Sequence, residues 1–173
     1  MTITKLSPAQ ARAHLPALTE ILHASVLAGA SVNFCLPFSR LEAEAFWQDT
    51  AFPALDAGGR TLWIAHHNGA PCGTVMLDTA MSPNQPHRGE VTKLLVHPTA
   101  RSNGIARALM VALEAEARAT DKSLLTLDTW SGSPAEALYR RLGYAKTGQV
   151  PNFFVHPSDG SLQPTTYFHK LLT

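Results

Sequence analysis

Apolar residues along this chain fall into two alternating kinds of period, and the alternation predicts the fold. Ile3 to Leu6 reads as a first strand. Ser7-Pro8 then carries a helix-start signature, and Leu15, Leu18, Ile21, Leu22 and Val26 keep a helical period to about Leu27. Gly29 to Pro37 reads as a loop, Ser39 to Thr50 as a second helix and Asp56 to Arg60 as a turn. Thr61 to His66 and Cys72 to Asp78 alternate as strands around Asn68-Gly69, a hairpin signal. Ser82 to Gly89 is a polar connection. Glu90 to Val96 is apolar enough at Val91, Leu94, Leu95 and Val96 to be a central strand.

The second half repeats the theme. Gly104 to Thr120 is a helix with Ile105, Ala108, Leu109, Ala112 and Leu113 on one face. Leu124 to Asp128 is a strand. Ser133-Pro134 opens a helix that carries Ala137, Leu138 and Leu142 and stops at Gly143. Tyr144 to Val150 and Thr165 to Leu171 close the pattern as strands, with Pro151 to Pro164 a long loop between them. Interleaved strands and helices predict an α/β fold around a mixed sheet, with residues 1–173 as one domain.

Composition narrows the function. A 45% hydrophobic and 16% charged chain is globular, and a net charge of +1 argues against a general nucleic-acid or membrane-surface binder. Cys35 and Cys72 have neither metal-ligand nor redox-pair spacing, and the eight histidines form no metal motif. With no evident signal peptide and no apolar run of membrane-spanning length, the expected location is the cytoplasm and the expected metal content is none.

One segment carries chemistry. Val91 to Ala106 reads as a buried strand, a turn marked by Pro98 and the start of a long helix, with small residues where the helix begins and Lys93, Arg101 and Arg107 flanking the turn. Free backbone N–H groups, a helix dipole and a cation together suit a phosphate group. Gly104 and Ala106 could instead merely let the helix pack close to a strand. A dinucleotide fingerprint and a P-loop are both absent. The pyrophosphate of coenzyme A remains, set on the amides of Ser102 to Ala106, with Gly104 leaving room for close approach and Arg101 as the cation.

The pattern Arg-x-x-Gly-x-Ala at Arg101, Gly104 and Ala106 resembles the acetyl-CoA motif of the GNAT superfamily of N-acetyltransferases. The segment from Ala137 to Tyr144, with Tyr139 and Leu142-Gly143-Tyr144, resembles that family's second signature. The resemblance implies a mixed, mostly antiparallel sheet with helices on both faces and two central parallel strands splayed to admit acetyl-CoA as cosubstrate. It implies cofactor contacts from Leu94, Leu95, Val96, Arg101, Ser102, Asn103, Gly104, Ile105, Ala106 and Ser133, although Gly132 stands where many members carry an Asn. It implies Tyr139 as the acid that protonates the departing thiolate. Glu90 and Asp128, at corresponding places on the two central strands, are the candidate bases.

A narrower similarity, to the tabtoxin-resistance branch, runs through Gly29 to Val32, Glu90-Val91, Lys93-Leu94, Leu127 to Thr129 and Ala135 to Ala137. Asn33, Phe34, Trp130 and Phe153 are then candidate walls of the acceptor pocket, and Trp130 and Asn33 depart from that branch. The expected activity is acetyl transfer to a small-molecule amine, an amino-acid-like toxin or antibiotic among them, by direct attack in a ternary complex. Peptide or protein N-acetylation and a non-catalytic acyl-CoA sensor are the alternatives. Relatives commonly form homodimers through their closing strands.

Overall fold

A computed structural model describes residues 1–172. The chain opens with β1 (Thr2–Leu6) and α1 (Pro8–Ala13). Ser7 caps α1: its hydroxyl accepts from the Gln10 amide while the Gln10 side chain accepts from the Ser7 amide. The single helix expected through Leu27 is two. Pro16 has no N–H to continue the ladder, so α2 (Leu15–Leu27) restarts at His14, whose carbonyl accepts from the Leu18 amide at 2.9 Å.

Ser39 and Glu42 form a second capping box at α3 (Arg40–Ala45). The helix does not stop at Thr50. It passes through a π-helical segment, Phe46–Ala51, into α4 (Phe52–Asp56), which shortens the expected turn after Asp56. The Phe52 amide donates to the Trp47 carbonyl, and Pro53 can donate to none. The wider turn therefore absorbs a proline while Trp47, Ala51, Phe52 and Leu55 stay buried.

β2 (Arg60–His67) and β3 (Ala70–Asp78) form the predicted hairpin, with Asn68 and Gly69 both at positive φ, 51° and 80°. Then follow β4 (Arg88–Val96), a short 3₁₀ turn (Pro98–Ala100), α5 (Ile105–Ala119), β5 (Leu124–Trp130), α6 (Pro134–Arg141), β6 (Ala145–Val155) and β7 (Leu162–Leu171). The expected loop from Pro151 to Pro164 is mostly strand, and only residues 156–161 connect β6 to β7. Pro151 is tolerated because β6 is the sheet edge and its register slips between Val150 and Phe154.

The sheet order is β1-β2-β3-β4-β5-β7-β6, with β4–β5 the one parallel pair among the described residues. Helices cover both faces. On one, α5 buries Ile105, Leu109, Met110 and Leu113 against Val75, Leu77, Val91 and Leu127. On the other, α2 to α4 bury Leu18, Ile21, Trp47 and Phe52 against Leu62, Ile64, Met76 and Leu95. This is the expected mixed α/β architecture. Among the described residues no helix is long and apolar enough to cross a membrane.

Candidate active site

The central parallel pair is barely a pair. β4 and β5 are in register only at Arg88↔Leu124, Gly89↔Leu125 and Glu90↔Thr126. Past Glu90 the strands part, so the side of β4 facing β5 has no strand partner from Val91 onward. An unpaired strand edge inside a sheet is a line of hydrogen-bonding groups ready for an extended ligand. Leu94, Leu95 and Val96 all lie on this stretch.

A bulge deforms β4 at the same place. Thr74 opposes Leu95 and Met76 opposes Thr92, so Val75 faces two residues, Lys93 and Leu94. Lys93 takes a positive φ of 49°, which is strained for a residue with a side chain.

Where β4 ends, the chain turns through residues 98–104 into α5. Ser102 and Gly104 have φ of 67° and 74°, and Gly104 stands at the helix N-cap with no side-chain cap. The first amides of α5 therefore lack an internal partner. A Cβ built on Gly104 meets nothing within 4 Å, so the space before the helix is open. Arg101, Ser102, Asn103 and Gly104 are exposed, whereas Ile105 is 1% exposed and offers only backbone there. The Asn103 side chain shapes the loop by donating to the carbonyls of Ala100 (3.1 Å) and Arg101 (3.2 Å). Arg101 Nε reaches the Val96 carbonyl at 3.4 Å. A cavity of about 420 Å³ lies on the hairpin side of this turn, lined in part by His67, Pro71, His97 and Asn103. Open amides, a helix N-terminus and an exposed arginine fit a pyrophosphate.

Lys93 is not part of this basic cluster, contrary to the sequence reading. Its ammonium donates to the Val32 carbonyl at 3.0 Å and lies over the Phe34 and Phe46 rings, 5.4 and 5.1 Å from their centroids. The bulge directs it to the face covered by α2 and α3.

The candidate acid and bases gather around the cleft. Tyr139 on α6 is 6% exposed, its ring packed against Tyr144 and Phe168. Burial, assisted by the negative charge of Asp128, raises its phenol above the ordinary tyrosine range, so it holds its proton at neutral pH. Glu90 accepts from Arg88 Nη1 at 3.2 Å, and the same nitrogen donates to Thr126 Oγ1 at 2.8 Å, bracing the last rung before the strands part. Asp128 is exposed, and its Oδ2 accepts from the Thr165 hydroxyl at 2.8 Å. Ser133 stands at the N-terminus of α6 with its hydroxyl 3.3 Å from that of Thr129.

The candidate pocket walls come from three segments, the loop before α3 (Asn33, Phe34), the end of β5 (Trp130) and β6 (Phe153); the Leu36 amide ties that loop to the β6–β7 connection by donating to the Pro157 carbonyl at 3.1 Å. Asn33 is exposed with φ of 72°, and Phe34 packs against Phe38 and Phe46. Trp130 donates to Gln163 and packs edge-on to Phe154 and His156, while Phe153 meets Tyr167.

Two groups here escape the sequence reading. Tyr167 pairs with Asp128 across β5–β7, and its phenol is raised by burial and by the charges of Asp128 and Glu90. Arg60 and Asp78 form an ion pair, with Thr92 donating to the same carboxylate. Strand alternation at Thr165, Tyr167 and His169 was the available signal for the first. The second depends on register between β2, β3 and β4, which no local pattern encodes. Among the described residues no cluster of three or more His, Cys, Asp or Glu is placed to hold a metal ion.

The profile of the acetyltransferase (GNAT) family matches residues 30–144. IAA acetyltransferase of Azospirillum brasilense is 40% identical over 78 residues, which cover 44% of this chain and 48% of that protein. The matched stretches span 48% and 61% of the lengths of two curated relatives. The yncA structure from Salmonella typhimurium, with its cofactor acetyl-CoA, superposes with a TM-score of 0.80 at 24% identity over 100% of this chain and 94% of that one. A phosphinothricin acetyltransferase from Sinorhizobium meliloti, in complex with acetyl-CoA, gives 0.80 at 22% identity over 99% and 88%. At these identities the two structures speak to the fold.

Proposed function

Because the chain belongs to the acetyltransferase (GNAT) family, we propose that it moves the acetyl group of acetyl-CoA to the primary amine of a small molecule, by direct attack in a ternary complex. The acceptor in this reading is an amino-acid-like toxin or antibiotic, as the similarity to the tabtoxin-resistance branch suggests. The observation that carries the proposal is the early end of the β4–β5 ladder at Glu90, followed by an uncapped helix at Gly104.

When bound, acetyl-CoA supplies the activated thioester carbonyl. The amides of Ser102, Asn103, Gly104, Ile105 and Ala106, with Arg101, would hold its pyrophosphate. The free backbone of Leu94, Leu95 and Val96 would hold its pantetheine arm, one amide facing the thioester oxygen, with Ser133 flanking from α6. Such a preorganised donor contributes about 3–4 kcal/mol to lowering a barrier of this kind. Asp128 and Glu90 attract the acceptor's ammonium and take up its proton, and Tyr139 gives a proton to the departing sulfur. Asn33, Phe34, Trp130 and Phe153 enclose the acceptor.

Residues 1–173 act as one catalytic domain in this reading. Its free thiols, Cys35 and Cys72, suit a reducing cytoplasm. A homodimer would use the β6 edge, where Val150 and Val155 are exposed; light scattering reports its mass.

Calorimetric titration with acetyl-CoA, then thiol release against a panel of small amines and short peptides, tests the function. Saturable binding and turnover with small amines are expected. Turnover with peptides alone overturns the small-molecule acceptor, binding without any turnover makes the protein a sensor, and absence of binding removes the whole proposal.

A further inference from the structure

The acceptor side of the cleft carries six charged groups close together: Arg60, Asp78, Arg88, Glu90, Lys93 and Asp128. Four are matched among themselves, Arg60 with Asp78 and Arg88 with Glu90. Of these six, Lys93 and Asp128 are left without an ion-pair partner among the described residues, and they are opposite in sign.

Lys93 is the unusual member. Only one of its three N–H donors has a recorded oxygen partner, the Val32 carbonyl, and the Phe34 and Phe46 rings face it otherwise. A part-buried ammonium with no carboxylate in salt-bridge contact is costly. It is held there by a bulge that puts a side-chain-bearing residue at φ 49°, so strain is spent to bring it to this spot. Asp128, across the parted strands, is exposed and engaged only by the Thr165 hydroxyl.

We propose that Lys93 is the specificity-determining cation of the acceptor site: it pairs with a carboxylate of the acceptor whose amine faces Asp128, so the acceptor is a zwitterion of the amino-acid class. This rests on the small-molecule reading above and deepens it. An acceptor with both charges neutralises both unmatched groups at once, whereas a simple amine leaves Lys93 uncompensated. Glu90, already engaged by Arg88, is the less available partner for the ammonium.

The electrostatics of the site give a second handle. Burial, and then the charge of Arg60 on β2, pull Lys93 down to about 8, against Asp78 on β3 and Asp128 on β5, which favour its charged form. From the Phe34 loop and the Phe46 segment it is the two rings that face the ammonium; Cys35 and Asp49 on those segments are not among the groups that shift it. Recognition of a carboxylate therefore fades as pH rises above this range, and an arginine at the same position, which does not titrate there, removes the fade.

The experiment measures kcat/KM by thiol release for amino acids and for their carboxamides, with wild type, Lys93→Met and Lys93→Arg. Wild type should prefer the acids by about tenfold or more, the value of a charge-assisted hydrogen bond. The preference should collapse toward unity in Lys93→Met and return in Lys93→Arg. In wild type it should decline from pH 8 to 9.5 more steeply than in Lys93→Arg, a comparison in which titration of the substrate cancels. Acetyl-CoA titration reports that each variant is folded. An unchanged preference in Lys93→Met, a wild-type preference for the carboxamides, or identical pH profiles overturns the inference while leaving the small-molecule reading standing. Absence of turnover with every small amine overturns both.

Discussion

Gly104 allows the cofactor reading to be tested by two variants that share one cost and differ in another. Its φ of 74° is left-handed, so either Gly104→Ala or Gly104→Glu gives up about 1–2 kcal/mol of backbone stability. Sterics add nothing, because a Cβ there meets no atom within 4 Å. For a domain of this size both melting points should fall together by about 2–4 °C per kcal/mol. Only glutamate adds charge. Repulsion between unit charges about 4 Å apart is roughly 4 kcal/mol at an effective dielectric near 20, and less at this exposed turn. A pyrophosphate carries more than one charge, so a net penalty of about 3–4 kcal/mol is expected, or roughly 10²–10³ in Kd. Calorimetry with acetyl-CoA should show Gly104→Glu weaker than Gly104→Ala by that factor, with the gap narrowing in high salt. Equal affinities in the two variants, at equal stability, would place the phosphates elsewhere and refute the reasoning.

Three further outcomes follow from named contacts. Tyr139→Phe should lower kcat by roughly a hundredfold or more while leaving acetyl-CoA affinity within a few-fold; an unchanged kcat removes the acid role. Lys93→Met should raise stability at pH 7, by at most about 3 kcal/mol, because the folded state holds a charge that burial disfavours. Its folded pKa lies below the unfolded one, so wild type regains that stability as pH rises from about 8 toward 10.5, and thermal melts at pH 7 and 10 should show the variant's advantage shrinking. Lys170→Met should cost about 3 kcal/mol, since it strips the 2.7 Å partner from Glu114, a carboxylate only 7% exposed; a fall in melting temperature under about 2 °C contradicts that.

Local chemistry made most of the fold legible in the sequence. Ser7, Asn68-Gly69, Ser133-Pro134 and Gly143 each act within a few residues, and each marks a boundary the structure keeps to within a residue or two. The misreadings arise where tertiary context decides. The helix read as ending at Thr50 runs on through a widened turn that carries Pro53, because Trp47 and Phe52 must both reach the core. Pro151 looks like loop but lies on an edge strand, where a missing N–H breaks no ladder. The turn at Gly104 was visible because its features are contiguous. The direction of Lys93 was not, because it depends on a register slip between β3 and β4, and a lone lysine in an apolar run reads equally well toward either end of its strand.

That slip has one more consequence. Val91 and Leu94 lie on the same face although three residues apart, and removing residue 93 would leave Val91, Thr92, Leu94, Leu95 and Val96 in strict in-out alternation. The sheet is therefore structurally complete without Lys93. A chain lacking that one amino acid should knit β4 more regularly onto β3, resist heat at least as well and, on the reading of Lys93 above, lose its preference for amino acids over their carboxamides.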